Sequence, residues 1–116
     1  MKRILIADDS PVVTGALSAA LSCDYEVHTC DDPADILSLL ESLQPDAILV
    51  DISLIGITGL LQIGKSAFRP TVLLVLTNII TDQLLQTAQA IDASYILLIP
   101  FSVRSLLDKL EDLLRT

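Results

Sequence analysis

Side chains that carry oxygen atoms follow or end three apolar runs of this 116-residue chain. Asp8 and Asp9 follow RILIA, Asp51 follows AILV, and Thr77 ends TVLLVLT. Short apolar runs bounded by turn residues are typical of strands buried on both faces of a parallel sheet. The carboxyl ends of such strands lie along one edge of the sheet, where ligands bind. Gathered carboxylates would repel one another, and a hard cation such as Mg²⁺ would relieve that repulsion. A carboxylate beside the cation could also act as a nucleophile and form an aspartyl phosphate.

Each of these residues also has a purely structural interpretation. Asp9 and Ser10 could cap a helix, and this explains Ser10 well because Pro11 follows it. Asp51 could cap a turn, and Thr77 could end its strand through β propensity alone. None of these roles explains why an acidic pair and a single aspartate end separate buried strands, so we favour a shared site.

Five strands and five helices are predicted to position these side chains. The predicted strands are Arg3–Ala7, Tyr25–Cys30, Ala47–Val50, Thr71–Thr77 and Tyr95–Ile99. The predicted helices run from Pro11 to about Ser22, from Asp32-Pro33 to Gln44-Pro45, over Leu60–Phe68, from Thr81/Asp82 through Ile91, and from the cap Ser102 onward. Strands that alternate with helices predict parallel βαβ units with right-handed crossovers and helices on both faces. The length predicts one α/β, doubly wound domain over residues 1–116.

Composition excludes several classes of function. The longest apolar runs are far shorter than a membrane span requires, so we expect a soluble, cytoplasmic protein. The net charge of −8 argues against direct binding to nucleic acid and is compatible with binding a cation. Cys23, Cys30 and the single His28 do not form a pattern of zinc ligands, and we expect both cysteines to be reduced thiols.

Four motifs, in order along the whole chain, resemble the receiver domains of two-component response regulators. They are ILIADDS, DAILVDISLIGITGL, LLVLTN and YILLIPF. The resemblance implies the flavodoxin-like (βα)5 fold of the chemotaxis regulators, with a five-stranded parallel sheet in the strand order 2-1-3-4-5. It also implies phosphorelay signal transduction, with phosphate received from a sensor histidine kinase or a phosphotransfer protein.

The same resemblance implies a role for each matching residue. Asp51 would be the phosphorylated aspartate, and Asp8 and Asp9 would bind Mg²⁺ together with Asp51. The backbone carbonyl of Ser53 would complete the metal ligands that the protein supplies. Thr77 would bond a phosphoryl oxygen after Asp51 is modified.

The chain departs from the family pattern near its last strand. The family has a lysine directly before Pro-Phe, and here that residue is Ile99, which offers neither charge nor donor. The family's aromatic residue is Ile96, whereas Tyr95 lies one place away and would point to the opposite face. Pro100 is kept, so the resemblance implies a cis Ile99–Pro100 bond. We therefore predict an atypical receiver that binds Mg²⁺ and accepts phosphate with weakened coupling to its output face.

Three functions are compatible with some of these residues. The leading one is a signalling phosphoacceptor, not an enzyme, that contacts a downstream protein through its fourth helix, fifth strand and fifth helix. Ile79 and Ile80 in this region could also support a homodimer. The alternative is a pseudo-receiver that binds proteins without phosphorylation, and Ile99 favours it. An aspartyl phosphatase needs a second acid two residues after the nucleophile, where this chain has Ser53.

Overall fold

The computed structural model describes residues 1–115 and contains one five-stranded sheet. Its strands are β1 (Arg3–Ala7), β2 (Glu26–Cys30), β3 (Ala47–Asp51), β4 (Val72–Thr77) and β5 (Tyr95–Leu98). All neighbouring strands pair in parallel, in the order β2-β1-β3-β4-β5. The predicted flavodoxin-like topology is confirmed. The predicted domain limit, Thr116, lies outside the described residues.

Helices cover both faces of this sheet. They are α1 (Pro11–Leu21), α2 (Ile36–Leu43, preceded by a 3-10 turn at Pro33–Asp35), α3 (Ile52–Gly64), α4 (Asp82–Ala90) and α5 (Val103–Leu114). One buried cluster joins the sheet to α2, α3 and α4, and a second joins it to α1 and α5. Alternate residues of β1 serve the two clusters, with Leu5 in the first and Ile4 and Ile6 in the second. The central strands are therefore buried on both faces, as their continuous apolar sequences predict.

Hydroxyl side chains begin three of the helices where the sequence predicts them. The Ser10 side chain accepts a hydrogen bond from the backbone N–H of Val13, and Pro11 occupies the first helical position. Thr81 and Ser102 cap α4 and α5 in the same way. These bonds satisfy donors that have no partner within the helix.

The prediction for the third helix, Leu60–Phe68, is wrong at both ends. The helix begins at Ile52, directly after β3, because the Asp51 side chain caps it by accepting a hydrogen bond from the Ser53 N–H. Gly56 interrupts it with φ 66° and ψ 179°, a backbone conformation that is available almost only to glycine. The helix ends at Gly64, a residue of low helix propensity. Asp51 therefore lies at a strand-to-helix junction instead of at the start of a long loop.

Across residues 1–115, no helix combines the length and the apolar character needed to cross a membrane.

Candidate functional site

A pocket of about 220 Å³ lies at the carboxyl ends of β1 and β3. It is lined by Asp8, Asp9, Ser10, Val13, Asp51, Ser53, Asn78 and Ile99. Both predicted acids of β1, the predicted nucleophile and Ser53 are thus brought together. Thr77 is not among the lining residues, although it ends the neighbouring strand.

Asp8 is the buried acid of the pocket, with 1% of its surface exposed. Its Oδ1 accepts a hydrogen bond of 2.9 Å from the backbone N–H of Ser10. Its Oδ2 is also buried, and it has no hydrogen-bond partner among the described residues. Burial raises the pKa of Asp8, and the negative charges of Asp51 and Asp9 raise it further, against the opposing effect of the Ser10 N–H. The Oδ2 of Asp8 is therefore a buried carboxyl oxygen that no described residue stabilises by a hydrogen bond.

Asp51 is held by one of its two carboxylate oxygens. Its Oδ1 accepts two hydrogen bonds from Ser53, 2.8 Å from the backbone N–H and 2.7 Å from the hydroxyl. A carboxylate fixed in this way keeps its orientation while its other oxygen, Oδ2, remains outside these bonds. Asp51 is half-buried, so part of its surface is open to solvent.

The oxygen donors of this pocket fit a small, hard cation. No three His, Cys, Asp or Glu side chains within residues 1–115 form a group that could hold a metal ion by themselves. Mg²⁺ does not require such a group, because it usually binds one or two carboxylates and keeps several waters. The buried, unpartnered Oδ2 of Asp8 is the strongest observation for a cation here, because a buried charge without a partner is costly.

The hydroxyl of Thr77 is engaged with the loop that follows β4. Thr77 is 1% exposed, and its Oγ1 donates to the Ile79 carbonyl at 2.8 Å. The same oxygen accepts a hydrogen bond from the Ile79 N–H at 3.2 Å. In this state the hydroxyl holds the backbone of the loop and does not face the pocket.

Asn78 is a lining residue that sequence reasoning missed. It is exposed and follows Thr77 directly. Its position at the end of a buried strand, on the edge where ligands bind, was the signal that could have identified it.

Ile99 lines the pocket where the family has a lysine. It is half-buried, and the Ile99–Pro100 bond is cis, as predicted. None of the described residues that line the pocket is Lys or Arg. Lys109 instead lies over the Tyr95 ring, with its Nζ 4.4 Å from the ring centroid. The pocket is therefore acidic and has no cationic side chain of its own.

Tyr95 and Ile96 lie on opposite faces of β5, as the alternation of a strand predicts. Tyr95 is exposed beside Lys109 of α5. Ile96 packs against the core cluster that contains Leu84 of α4. The aromatic ring is thus on the side of the sheet away from α4.

The response regulator receiver domain model matches residues 4–111, which include every lining residue of the pocket. The chain therefore belongs to the response regulator receiver domain family and is a receiver domain of two-component signal transduction.

Relatives and solved structures agree with this assignment. A protein-glutamate methylesterase/protein-glutamine glutaminase of Anaeromyxobacter dehalogenans is 28% identical over 86% of this chain and 30% of its own length. The transcriptional regulatory protein TrcR of Mycobacterium tuberculosis is 26% identical over 97% of this chain and 45% of its own. The chain thus spans less than half the length of these curated relatives. The chemotaxis protein CheY4 of Vibrio cholerae is 27% identical, with a TM-score of 0.84 and coverage of 97% and 98% of the two chains.

Proposed function

We propose that Asp51 accepts a phosphoryl group in a Mg²⁺-dependent reaction, with a sensor histidine kinase or a phosphotransfer protein as the donor. One observation carries this proposal. The Asp51 carboxylate is held through Oδ1 by Ser53, at a pocket that also contains the buried, unpartnered Oδ2 of Asp8. A fixed carboxylate beside an uncompensated one fits a nucleophile that works next to a cation.

The chemistry is a single phosphoryl transfer. Oδ2 of Asp51 attacks the phosphorus of the donor, and a new O–P bond forms as the bond from phosphorus to the donor breaks. The donor atom leaves with the electron pair of that bond, and Asp51 becomes a mixed carboxylic–phosphoric anhydride. The domain is a stoichiometric phosphate carrier in this proposal and not an enzyme.

Asp8, Asp9, Asp51 and the backbone carbonyl of Ser53 would hold the Mg²⁺, with one or two of the carboxylates as direct ligands and the rest acting through waters that the ion keeps. When bound, the ion would supply positive charge next to the phosphoryl oxygens. Asp8 contributes the deepest ligand, because its Oδ1 is fixed by the Ser10 N–H and its Oδ2 is free.

Readout of phosphorylation depends on Thr77 in this proposal. If its hydroxyl donates to the phosphoryl group, it must release the hydrogen bond that it donates to the Ile79 carbonyl. Ile79 is 65% exposed and lies in the loop that leads to α4. Loss of its hydrogen bond to Thr77 would let this loop move and would alter the apolar surface that Ile79 presents. The coupling is atypical because Ile96 replaces the family's aromatic residue on the α4 side of β5.

The output surface would comprise α4, β5 and α5. Large apolar side chains are exposed there, including Ile80, Leu85, Tyr95 and Leu98. Exposed apolar side chains of this kind would suit contact with a downstream protein or a second copy of the chain. The net charge of −8 argues against direct contact with nucleic acid, and we propose a cytoplasmic location.

Intact mass spectrometry tests the phosphoacceptor. The protein is incubated with a small-molecule phosphodonor, with Mg²⁺ or with EDTA, and Asp51→Asn is the matched control. We expect a phosphoryl adduct that requires Mg²⁺ and is lost in the variant. An adduct that persists in Asp51→Asn would refute the assignment of the nucleophile.

A second candidate function is a pseudo-receiver that binds its partner without phosphorylation. Two observations favour it: Ile99 occupies the place of the lysine, and the Thr77 hydroxyl is engaged elsewhere. Mg²⁺ binding without any adduct, measured by calorimetric titration and by mass, would make it the better account.

Ile99→Lys separates the two candidates further. A lysine here adds a positive charge to the pocket, so we expect a larger yield of phosphoryl adduct. We also expect a larger conformational change on phosphorylation. If this variant behaves like the parent in both measurements, the missing lysine does not limit the domain.

A further inference from the structure

We propose that the side-chain amide of Asn78 donates a hydrogen bond to the phosphoryl group on Asp51, in partial replacement of the hydrogen-bond donor that Ile99 does not supply. The inference rests on the proposed phosphorylation of Asp51. It assigns a binding residue to a position that follows the strand end and lines the pocket.

Before phosphorylation, the hydroxyl donors near the pocket are already engaged. The Ser53 hydroxyl donates to Asp51 Oδ1, and the Thr77 hydroxyl donates to the Ile79 carbonyl. Ser10 caps α1 on the side of the acidic pair. Asn78 is exposed, lines the pocket and carries an NH2 group with two donor hydrogens.

Charge makes this donor important. Asp8, Asp9 and Asp51 already place carboxylates in the pocket, and a phosphoryl group adds more negative charge. Since no Lys or Arg is among the described lining residues, a neutral amide is the side-chain donor that can approach these oxygens without further repulsion. It cannot supply the charge of a lysine, so we expect it to hold the phosphoryl group more weakly than lysine does.

The competing explanation for Asn78 is structural. Asparagine is common in turns, and this residue lies between a strand end and a loop. A turn residue would affect stability when replaced but would leave affinity for a phosphoryl mimic unchanged. The two explanations therefore differ in what a single substitution changes.

Beryllofluoride binding distinguishes them without any phosphodonor. Beryllium chloride and sodium fluoride are titrated into the Mg²⁺-loaded protein, and the bound anion is followed by ¹⁹F NMR. Asn78→Leu removes the donors at nearly constant size and neutral charge. We expect about a tenfold loss of affinity, the range of a hydrogen bond to a charged group. Mg²⁺ affinity without beryllofluoride should stay at the parental value, because the amide acts on the anion.

Two further variants complete the test. Asn78→Gln keeps the donor and should restore much of the affinity, and Ile99→Lys should restore it in the Asn78→Leu background. If the parent binds beryllofluoride and Asn78→Leu binds it equally well, Asn78 is not a ligand and the phosphoacceptor proposal stands. If the parent itself does not bind, both proposals fail together. Loss of affinity that neither Asn78→Gln nor Ile99→Lys restores would assign Asn78 a structural role instead.

Discussion

Replacing the buried acid should stabilise the fold when no metal is present. We expect Asp8→Asn to raise the free energy of unfolding at pH 7, in EDTA, by about 1–2 kcal/mol. A buried polar group without a partner costs about 1–3 kcal/mol when it is neutral and more when it is charged, and the Asp8 Oδ2 is buried without a partner. Asparagine keeps an oxygen for the Ser10 N–H and places a neutral amide nitrogen where Oδ2 was, so the gain comes from removing the charge that Asp51 and Asp9 repel.

The gain should depend on pH in a defined direction. The pKa of Asp8 is raised in the folded protein, chiefly by burial, above the value of about 4 in an unfolded chain. The folded state therefore binds the proton more tightly, and the parent loses stability as pH rises from about 4 through the folded pKa. The advantage of Asp8→Asn should accordingly be large at pH 7 and small at pH 4.

Urea unfolding followed by far-ultraviolet circular dichroism measures this difference at both pH values. In a thermal scan a gain of 1 kcal/mol should appear as roughly 4 °C. Saturating Mg²⁺ should stabilise the parent but not the variant, because a ligand stabilises only the state that binds it. An Asp8→Asn protein less stable than the parent at pH 7 in EDTA would refute the reasoning, as would an equal gain at pH 4.

Two further predictions concern backbone strain and thiol reactivity. Gly56→Ala should lower the free energy of unfolding by about 1–3 kcal/mol, because alanine is strained at φ 66°, ψ 179°. Its control, Gly15→Ala in the interior of α1, should raise it by about 0.5–1 kcal/mol, because a Cβ there meets nothing within 4 Å. Equal effects in urea unfolding would contradict the account of α3. A thiol reagent should label the exposed Cys23 quickly and the buried Cys30, whose pKa burial raises, only after unfolding. Rapid labelling of both cysteines in the folded protein, detected by mass spectrometry, would contradict the burial of Cys30.

The sheet could be predicted because its central strands are unambiguous in sequence. β1, β3 and β4 are continuous apolar runs buried on both faces. The helix-starting pair Ser10-Pro11 follows β1 and marks its end. The local preferences of the strands agree with the fold, so the observed strand boundaries differ from the predicted ones by only a residue.

The start of α3 could not be predicted in the same way. Gly56 and Gly59 indicate a loop, and the helix forms because the Asp51 side chain caps it at Ser53. Gly56 then adopts the non-helical backbone angles inside the helix. The sequence contains these residues but does not show that a carboxylate cap outweighs two glycines.

The site itself was partly predictable. The acids at the ends of β1 and β3 follow from topology, since parallel strands end at one edge. The orientation of the Thr77 hydroxyl depends on the backbone of the next loop, which periodicity does not describe. Asn78 follows the end of β4, which suggests this edge of the sheet, but whether its side chain lines the pocket depends on the backbone of the same loop.

The most direct test of the central claim is to locate the phosphoryl group within the chain. The protein is phosphorylated with Mg²⁺ and a small-molecule phosphodonor, reduced with borohydride, digested and sequenced by tandem mass spectrometry. Borohydride converts an aspartyl phosphate into homoserine, which marks the modified residue permanently. We predict homoserine at position 51 alone, and none when Mg²⁺ is omitted. Homoserine at position 8 or 9, or at no position, would contradict the account.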